Sequence, residues 1–391
     1  MLAQVIREDR FGEPLDAFRI EEIAAPKLEP DEVLVQVMAA GVNFNGVFAA
    51  MGQPVNVIGM RRKSGDPDDF HIAGSDASGI VVAVGADVRE VVPGAEVVLH
   101  CGVWDGGGAA ASAGADVTLS SSFRIWGYET NWGSFAELTK VKSFQCLPKP
   151  AHLSWEEASV TTLVGATAYR MLTHWAPHNV REGDVVLVWG GAGGLGCMAI
   201  QIARAFGAVP IAVTSSAEKA RFCMSLGAAG CIDRTQFGHW GPLKSGSGPE
   251  YDRWREGAGE FAKAMHEILG ERRFPRIVFE HSGNDTLPTS IFACEPGGMV
   301  VTCGATSGYL LDVDARYLWM RQKRLQGSHY GNLSDIQAFH RLVMDGRISP
   351  CLTKTYAFSE VGEAHQRLKD NAGIYGKTAI SIGSASRNPV A

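Results

Sequence analysis

None of the eight cysteines, at positions 101, 146, 197, 223, 231, 294, 303 and 351, stands in a C-x-x-C pair. Their scatter argues against a structural zinc site and against a disulfide framework, and it fits a reducing cytosol. No apolar run is long enough to span a bilayer. Positive charge is not in excess either. Lys and Arg number 36 against 42 Asp and Glu, a formal net charge of −6, so neither a membrane nor a nucleic acid is an expected partner. The opening residues, MLAQVIREDRFGEPL, place charges where a signal peptide needs its apolar core. Secretion is not expected, and the cytoplasm is the expected location. No internal repeat is visible. What the chain does have is length and apolar content. Its 391 residues suggest two domains or more, and a 46% hydrophobic fraction is enough for sizeable cores.

The first part reads as strands, among them EVLVQVMAAG, which ends at Gly41 with Asn43 and Asn45 just beyond. Arg61 to Phe70 reads as an exposed polar loop, and HIAGSDASGIVVAVGADV and GAEVVLH as further strand regions. Cys101 to Phe123 is rich in Gly, Ala and Ser and reads as a loop longer than a compact domain usually tolerates without a function. Ser154 is placed to cap a helix starting at Trp155, with Glu156 and Glu157 in its first turn. Units of strand and helix follow, interrupted by Phe237 to Ala262, which reads as a polar insertion and a candidate contact between subunits. A helix over Ser359 to Asn371 and a last strand, KTAISIG, close the chain.

The most informative stretch lies in the middle, Asp184 to Gly207. Val185 to Val188 is a short β-branched run typical of a fully buried strand. Met198, Ala199, Ile202, Ala203 and Phe206 recur at helical spacing, and Gly207 closes that helix. Between them, Gly191, Gly193 and Gly196 match G-x-G-x-x-G in the setting of strand, turn and helix that a dinucleotide site requires, with Gly194 and Leu195 opening the helix. An NAD-preferring unit places Asp or Glu at the end of the next strand, for the ribose 2′-OH. Here Ser215 and Ser216 stand there, with Lys219 shortly after and Arg234 after the following strand. Small hydroxyls and two cations suit a 2′-phosphate, so the expected cofactor is NADPH.

These features resemble the medium-chain dehydrogenase/reductase superfamily. The stretches HIAGSDASGIV, RIWGYETNWGSFAEL, LVWGGAGGLG, IVFEHSG and RYLWMRQKRLQGSH resemble the crotonyl-CoA carboxylase/reductase family over nearly the whole chain. The resemblance implies an α/β fold. A GroES-like, β-rich catalytic domain is expected at 1–165 and 325–391, and a Rossmann domain with a doubly wound parallel sheet, binding NADPH, at 166–324. It also implies a reaction. Hydride from NADPH reaches the β-carbon of a 2-enoyl-CoA thioester, and the enolate then attacks CO2 through its α-carbon to give an alkylmalonyl-CoA. The zinc members of the superfamily carry Cys, His and Glu in regions that read GVNFN and GSD here, so no metal is expected. No Ser/His/Asp or Cys/His arrangement is needed, because hydride transfer requires no protein nucleophile.

CO2 is neutral and linear and offers only its oxygens to hydrogen-bond donors. By resemblance, Asn45 donates to it from the side chain and Tyr128 from the backbone, while Glu129 and His329 hold it through an ordered water. Read alone, Asn45 would be a strand-end residue satisfying backbone; the resemblance reverses that reading. A buried Glu129 needs a partner, and His329 is a candidate. Arg316 and Tyr317 suit coenzyme A, one pairing with a phosphate and the other stacking on adenine or lining the channel. Arg321, Lys323 and Arg324 read as a solvated face, and His281 as a structural strand-end residue. Gly331 stands where relatives often carry Ala, and the missing methyl suggests enoyl chains longer than crotonyl, of about six to eight carbons. The resemblance further implies a homodimer or homotetramer. Two other readings stay open: an enoyl-thioester or quinone reductase that only protonates its enolate, and a non-enzymatic NADPH-binding protein, against which the acidic balance argues.

Overall fold

A computed structural model describes residues 1–112 and 114–383. Elements of helix and strand mix throughout, as the α/β reading expects. Two compact units emerge. One comprises Met1–Leu163, Asn332–Met344 and Pro350–Ala391, the other Val164–Gly331 and Asp345–Ser349. The expected boundary at 324/325 falls inside the strand Arg324–Gly327, which pairs with Met299–Thr302 in the second unit's sheet. Residues 384–391 of the expected catalytic segment, and residue 113 of the expected long loop, lie outside the described residues.

The second unit is built on six parallel strands. Their order across the sheet is Gly230–Asp233, Val209–Thr214, Val185–Val188, Ile277–Glu280, Met299–Thr302 and Arg324–Gly327. This is the 3-2-1-4-5-6 order of a doubly wound dinucleotide fold. Val185–Val188 sits at its centre with all four residues buried, which is why it carries no polar alternation. The strand order reverses between Val185–Val188 and Ile277–Glu280, and ligands bind such sheets outside the carboxyl ends of the strands at that point. The loops that leave those two ends begin at Trp189 and His281.

The expected polar insertion is instead the crossover helix of this sheet, Pro249–Leu269. Tyr251, Trp254, Ala258, Phe261, Ala262 and Met265 recur every three to four residues and are buried. Phe261, Ala262 and Met265 join Val185, Leu187, Trp189 and Val278 in the unit's main core.

The first unit holds a seven-stranded sheet. Its order is Cys146–Pro148, Glu96–Leu99, Ala77–Val84, Glu32–Gly41, Lys377–Ser381 and Leu352–Ala357, with Leu138–Lys142 also pairing Glu32–Gly41. The end of Glu32–Gly41 is held on both sides. Gly41 N–H donates to Asp76 O at 3.1 Å, and Val42 N–H donates to Thr378 O at 2.9 Å. The helix Phe44–Met51 starts three residues past Gly41, so Asn45 is a helical residue rather than a strand-end one.

Two other expectations change. The stretch at 101–123 is not one loop, for it contains the strand Gly102–Val103, the helix Gly107–Ser112 and a 3-10 turn, Val117–Leu119. Buried Trp104 anchors it, with Nε1 donating to Gly107 O at 2.7 Å. The polar stretch at 61–70 begins inside the helix Val57–Lys63, and Arg61 is buried, donating to Asp66 and to Phe70 O at 2.6 Å each. The helix at Trp155–Ala158 carries the full capping box, Ser154 with Glu157. Among the described residues, no helix is long and apolar enough to cross a membrane.

Candidate active site

In the nucleotide unit, the loop after Val188 is compressed by its glycines. Gly190 takes a positive φ of 55°, and a Cβ there would meet the His281 ring at 2.8 Å. A Cβ on Gly196 would lie 2.4 Å from Gly190 O, so the helix Gly194–Ala205 presses directly against the turn. Gly193 caps that helix without any side-chain bond. The N–H groups of Gly194, Leu195 and Gly196 have no carbonyl behind them in the helix, and such a helix start suits a pyrophosphate. The cradle fits a dinucleotide.

At the adenosine end, Thr214 closes the strand Val209–Thr214 with a buried hydroxyl that has no protein partner. Ser215 follows, half-buried. Ser216 has a structural task the sequence reading did not give it. Its hydroxyl caps the helix Ala217–Ser225, accepting from Lys219 N–H at 3.3 Å. Burial lowers the Lys219 pKa, and the nearby charge of Arg234 lowers it further. The two cations are therefore close enough to repel, the condition a 2′-phosphate would relieve.

The sequence reading missed Glu280, at the carboxyl end of its strand. This carboxylate is fully buried. Its Oε1 accepts from the N–H groups of His281, Ser282 and Gly283 at 2.9, 2.7 and 3.3 Å. Thr286 Oγ1 lies within 3.0 Å of both oxygens, and Ser290 Oγ donates to Oε2 at 2.7 Å. Trp189 Nε1 in turn donates to Ser290 Oγ at 2.7 Å. Glu280 thus shapes the His281–Gly283 loop. His281 completes it by donating from Nε2 to Trp189 O at 3.0 Å, with burial lowering its pKa, as a structural residue should. An acid at a strand end, with hydroxyls at 286 and 290 one helical turn apart, was the available signal.

In the first unit, the stretches GVNFN and GSD come together. Asn45 Nδ2 donates to Ser75 Oγ at 2.6 Å, and Asn43 Nδ2 donates to Asp76 Oδ2 at 2.8 Å. Amides and a hydroxyl therefore meet where the zinc relatives place metal ligands. Among the described residues, no group of three or more His, Cys, Asp or Glu is arranged to hold a metal ion. Asp76 is fully buried, and burial raises its pKa against the opposing pull of Lys377, Thr162, Asn43 and the Leu163 N–H. Tyr128 and Glu129 lie in a tight turn whose three N–H groups, of residues 128, 129 and 130, all reach Ile125 O, at 3.2, 2.8 and 3.2 Å. The Glu129 carboxylate accepts from Ile125 N–H at 2.9 Å. His329 belongs to the nucleotide unit and is exposed, and Gly331, the last residue of that unit's segment Val164–Gly331, is buried.

The residues expected to bind coenzyme A also belong to the nucleotide unit. Arg316 Nε and Nη2 fork onto Asp314 at 2.9 and 2.8 Å, and Nη2 also donates to Gly246 O at 2.7 Å. Its fork is thus already occupied, and its guanidinium lies over the Tyr251 ring. Tyr317 packs edge-on against Phe292 and Trp254, its hydroxyl 3.4 Å from that of Tyr251. Lys323 is not part of a solvated face. It donates to Ile291 O and Phe292 O near the end of the helix Leu287–Ala293. Arg324 likewise bonds Ala176 O and Gln326.

Residues 29–151 match the alcohol dehydrogenase GroES-like domain, and residues 194–345 match the zinc-binding dehydrogenase family. A β-rich unit of GroES-like type interrupted by a doubly wound nucleotide unit defines a reductase of the medium-chain dehydrogenase/reductase class. Over 382 residues the chain is 45% identical to the crotonyl-CoA carboxylase/reductase of Cereibacter sphaeroides, covering 98% of this chain and 87% of that one. The solved structure of crotonyl-CoA carboxylase/reductase AntE in complex with NADP is similar at a TM-score of 0.94 and 52% identity, covering 99% of this chain and 95% of the other. The 2-octenoyl-CoA carboxylase reductase CinF, solved with NADP and 2-octenoyl-CoA, is similar at 0.89 and 37%, covering 99% and 88%. The chain belongs to the crotonyl-CoA carboxylase/reductase family.

Proposed function

We infer that this chain catalyses the NADPH-dependent reductive carboxylation of a 2-enoyl-CoA thioester to an alkylmalonyl-CoA. Family membership sets the reaction class. The single observation that carries the carboxylation reading is the Asn45–Ser75 bond at 2.6 Å. It orients a side-chain amide and leaves that amide's second N–H for a ligand. NADPH, when bound at the glycine loop, supplies the hydride that reduces the β-carbon of the enoyl thioester. Gly191, Gly193, Gly194, Leu195 and Gly196 would hold its pyrophosphate, and Ser215, Ser216, Lys219 and Arg234 its 2′-phosphate.

The thioester enolate has two fates. Protonation gives a saturated acyl-CoA; attack of the α-carbon on CO2 forms a carbon–carbon bond and leaves the electron pair on the new carboxylate. We assign Asn45 Nδ2–H and the Tyr128 N–H as donors to the CO2 oxygens, where negative charge develops. The Tyr128 N–H suits this role because its 3.2 Å bond goes to Ile125 O, which already accepts a shorter one from Glu129. Glu129 and His329 complete the polar set by family resemblance. Arg316 and Tyr317 are assigned to coenzyme A on the same ground. We place the enzyme in the cytoplasm, as its eight free cysteines suggest, and as a homodimer or homotetramer.

Product analysis tests the reading. Asn45→Leu is expected to shift product from alkylmalonyl-CoA toward saturated acyl-CoA while NADPH oxidation continues. Unchanged partitioning contradicts the role of Asn45. His329→Asn is expected to raise the apparent KM for CO2 more than that for the enoyl-CoA. For chain length, Gly331→Ala is expected to lower kcat/KM for 2-octenoyl-CoA about tenfold relative to crotonyl-CoA. Equal effects on both substrates remove Gly331 from the acyl site.

A further inference from the structure

Beneath the Asn43–Asn45 turn lies a buried charge pair that no step of the reaction uses. Asp76 is fully buried and Lys377 is 4% exposed. Lys377 Nζ donates to Asn43 Oδ1 at 2.6 Å and to Val42 O at 3.0 Å, and stands 3.8 Å from Asp76 Oδ2. Asp76 Oδ2 accepts from Asn43 Nδ2, while Oδ1 accepts from Thr162 Oγ1 at 2.5 Å and Leu163 N–H at 2.7 Å. The two ends of the Asn43 amide are therefore gripped with opposite polarity, its oxygen by the ammonium and its nitrogen by the carboxylate. Only one orientation of the amide satisfies both. Asn43 is also the residue before the helix Phe44–Met51, and its side chain makes no capping bond there, being engaged in this grip instead.

Asn45 lies two residues beyond Asn43, and its acceptor Ser75 immediately precedes Asp76. The same charge pair thus fixes both halves of the Asn45–Ser75 bond, one through Asn43 and the other through Asp76. A buried ion pair is a poor source of stability compared with apolar residues of equal volume, so its orienting effect is the more natural reason for it.

We propose that Asp76 and Lys377 are positioning residues for carboxylation, holding the Asn45 amide and Ser75 in place and thereby setting the fraction of enolate that meets CO2 rather than a proton. This rests on the assignment of Asn45 to CO2. The test uses full-length Lys377→Met, Lys377→Arg, Ser75→Ala and Asn45→Leu enzymes with NADPH, crotonyl-CoA and labelled bicarbonate plus carbonic anhydrase, read by mass spectrometry. Lys377→Met and Ser75→Ala are expected to raise the ratio of butyryl-CoA to ethylmalonyl-CoA at least about fivefold, with a higher apparent KM for CO2. Lys377→Arg, which keeps the charge, is expected to recover part of the wild-type ratio. A merely structural pair would lower thermal stability and total turnover without moving the ratio. An unchanged ratio in Ser75→Ala, a small change, overturns the proposal, and so does an unchanged ratio in Lys377→Met. If Asn45→Leu shifts the ratio and these do not, the positioning role alone fails. If Asn45→Leu does not shift it, the CO2 assignment fails and the proposal with it.

Discussion

An added methyl at Gly46 has nowhere to go. A Cβ there would stand 2.3 Å from His365 Nε2. That ring cannot yield easily, for it is fully buried, stacked on Phe18 and held by an Nδ1–H bond to Val361 O at 2.8 Å. Gly46→Ala is expected to cost about 2 kcal/mol, read as a lower thermal midpoint, and to disturb Asn45 next to it. Wild-type stability would show that the helix simply shifts. Lys219 and Arg234 make a second prediction at this scale. Replacing both with Ala is expected to raise KM for NADPH at least about tenfold and to leave KM for NADH nearly unchanged. Parallel changes for both cofactors contradict a 2′-phosphate site. These residues could be proposed from the sequence because each sits a fixed step from a local landmark. Ser216 was read only in part, since a hydroxyl at a strand end looks the same whether it meets a phosphate or caps a helix.

At the scale of elements, the loop after Ile277–Glu280 depends on one carboxylate. Glu280→Gln puts an amide donor among groups that are themselves donors, the N–H groups of residues 281–283 and the hydroxyls of Thr286 and Ser290. The expected loss is about 3 kcal/mol in denaturant unfolding, with a raised KM for NADPH as the loop opposite Gly190 loosens. A neutral substitution would show that the donors find other partners. This network was hidden from the sequence because its members are ordinary strand-end and helix residues until the fold gathers them. The helix Pro249–Leu269 was legible in principle from its 3–4 spacing of aromatics. The preceding KSGSGPE and the glycines at 257 and 259 masked it. The Gly- and Ala-rich stretch after Cys101 concealed its structure for another reason. Its anchor is one buried tryptophan, which carries no periodic signal.

For the whole molecule, acid sensitivity follows from buried histidines in the first unit. Burial pushes His71 down to about 3, and His100 and His365 down to about 4. Below the ordinary value of 6.5, the unfolded chain takes up a proton at each position and the folded chain does not. Stability is therefore full above that value and is lost as pH falls toward 4, by about 1.4 kcal/mol per histidine per pH unit. Asp76, whose pKa is raised, works in the opposite sense. Urea unfolding between pH 6 and 5 is expected to show a net decline of about 2–4 kcal/mol. A flat profile contradicts neutral burial of these rings.

The doubly wound half of the fold was legible because its signals are local, a strand, a glycine turn and a helix in succession. The proposed carboxylation site was not legible from spacing, because Asn43, Asp76 and Lys377 come from opposite ends of the chain. Only resemblance reached Asn45, and only the fold shows what holds it. The most direct test is the mass of the product made by the wild-type enzyme from NADPH, crotonyl-CoA and labelled bicarbonate with carbonic anhydrase. Reductive carboxylation requires labelled ethylmalonyl-CoA, formed one for one with NADPH consumed; butyryl-CoA as the sole product at saturating CO2 would contradict it.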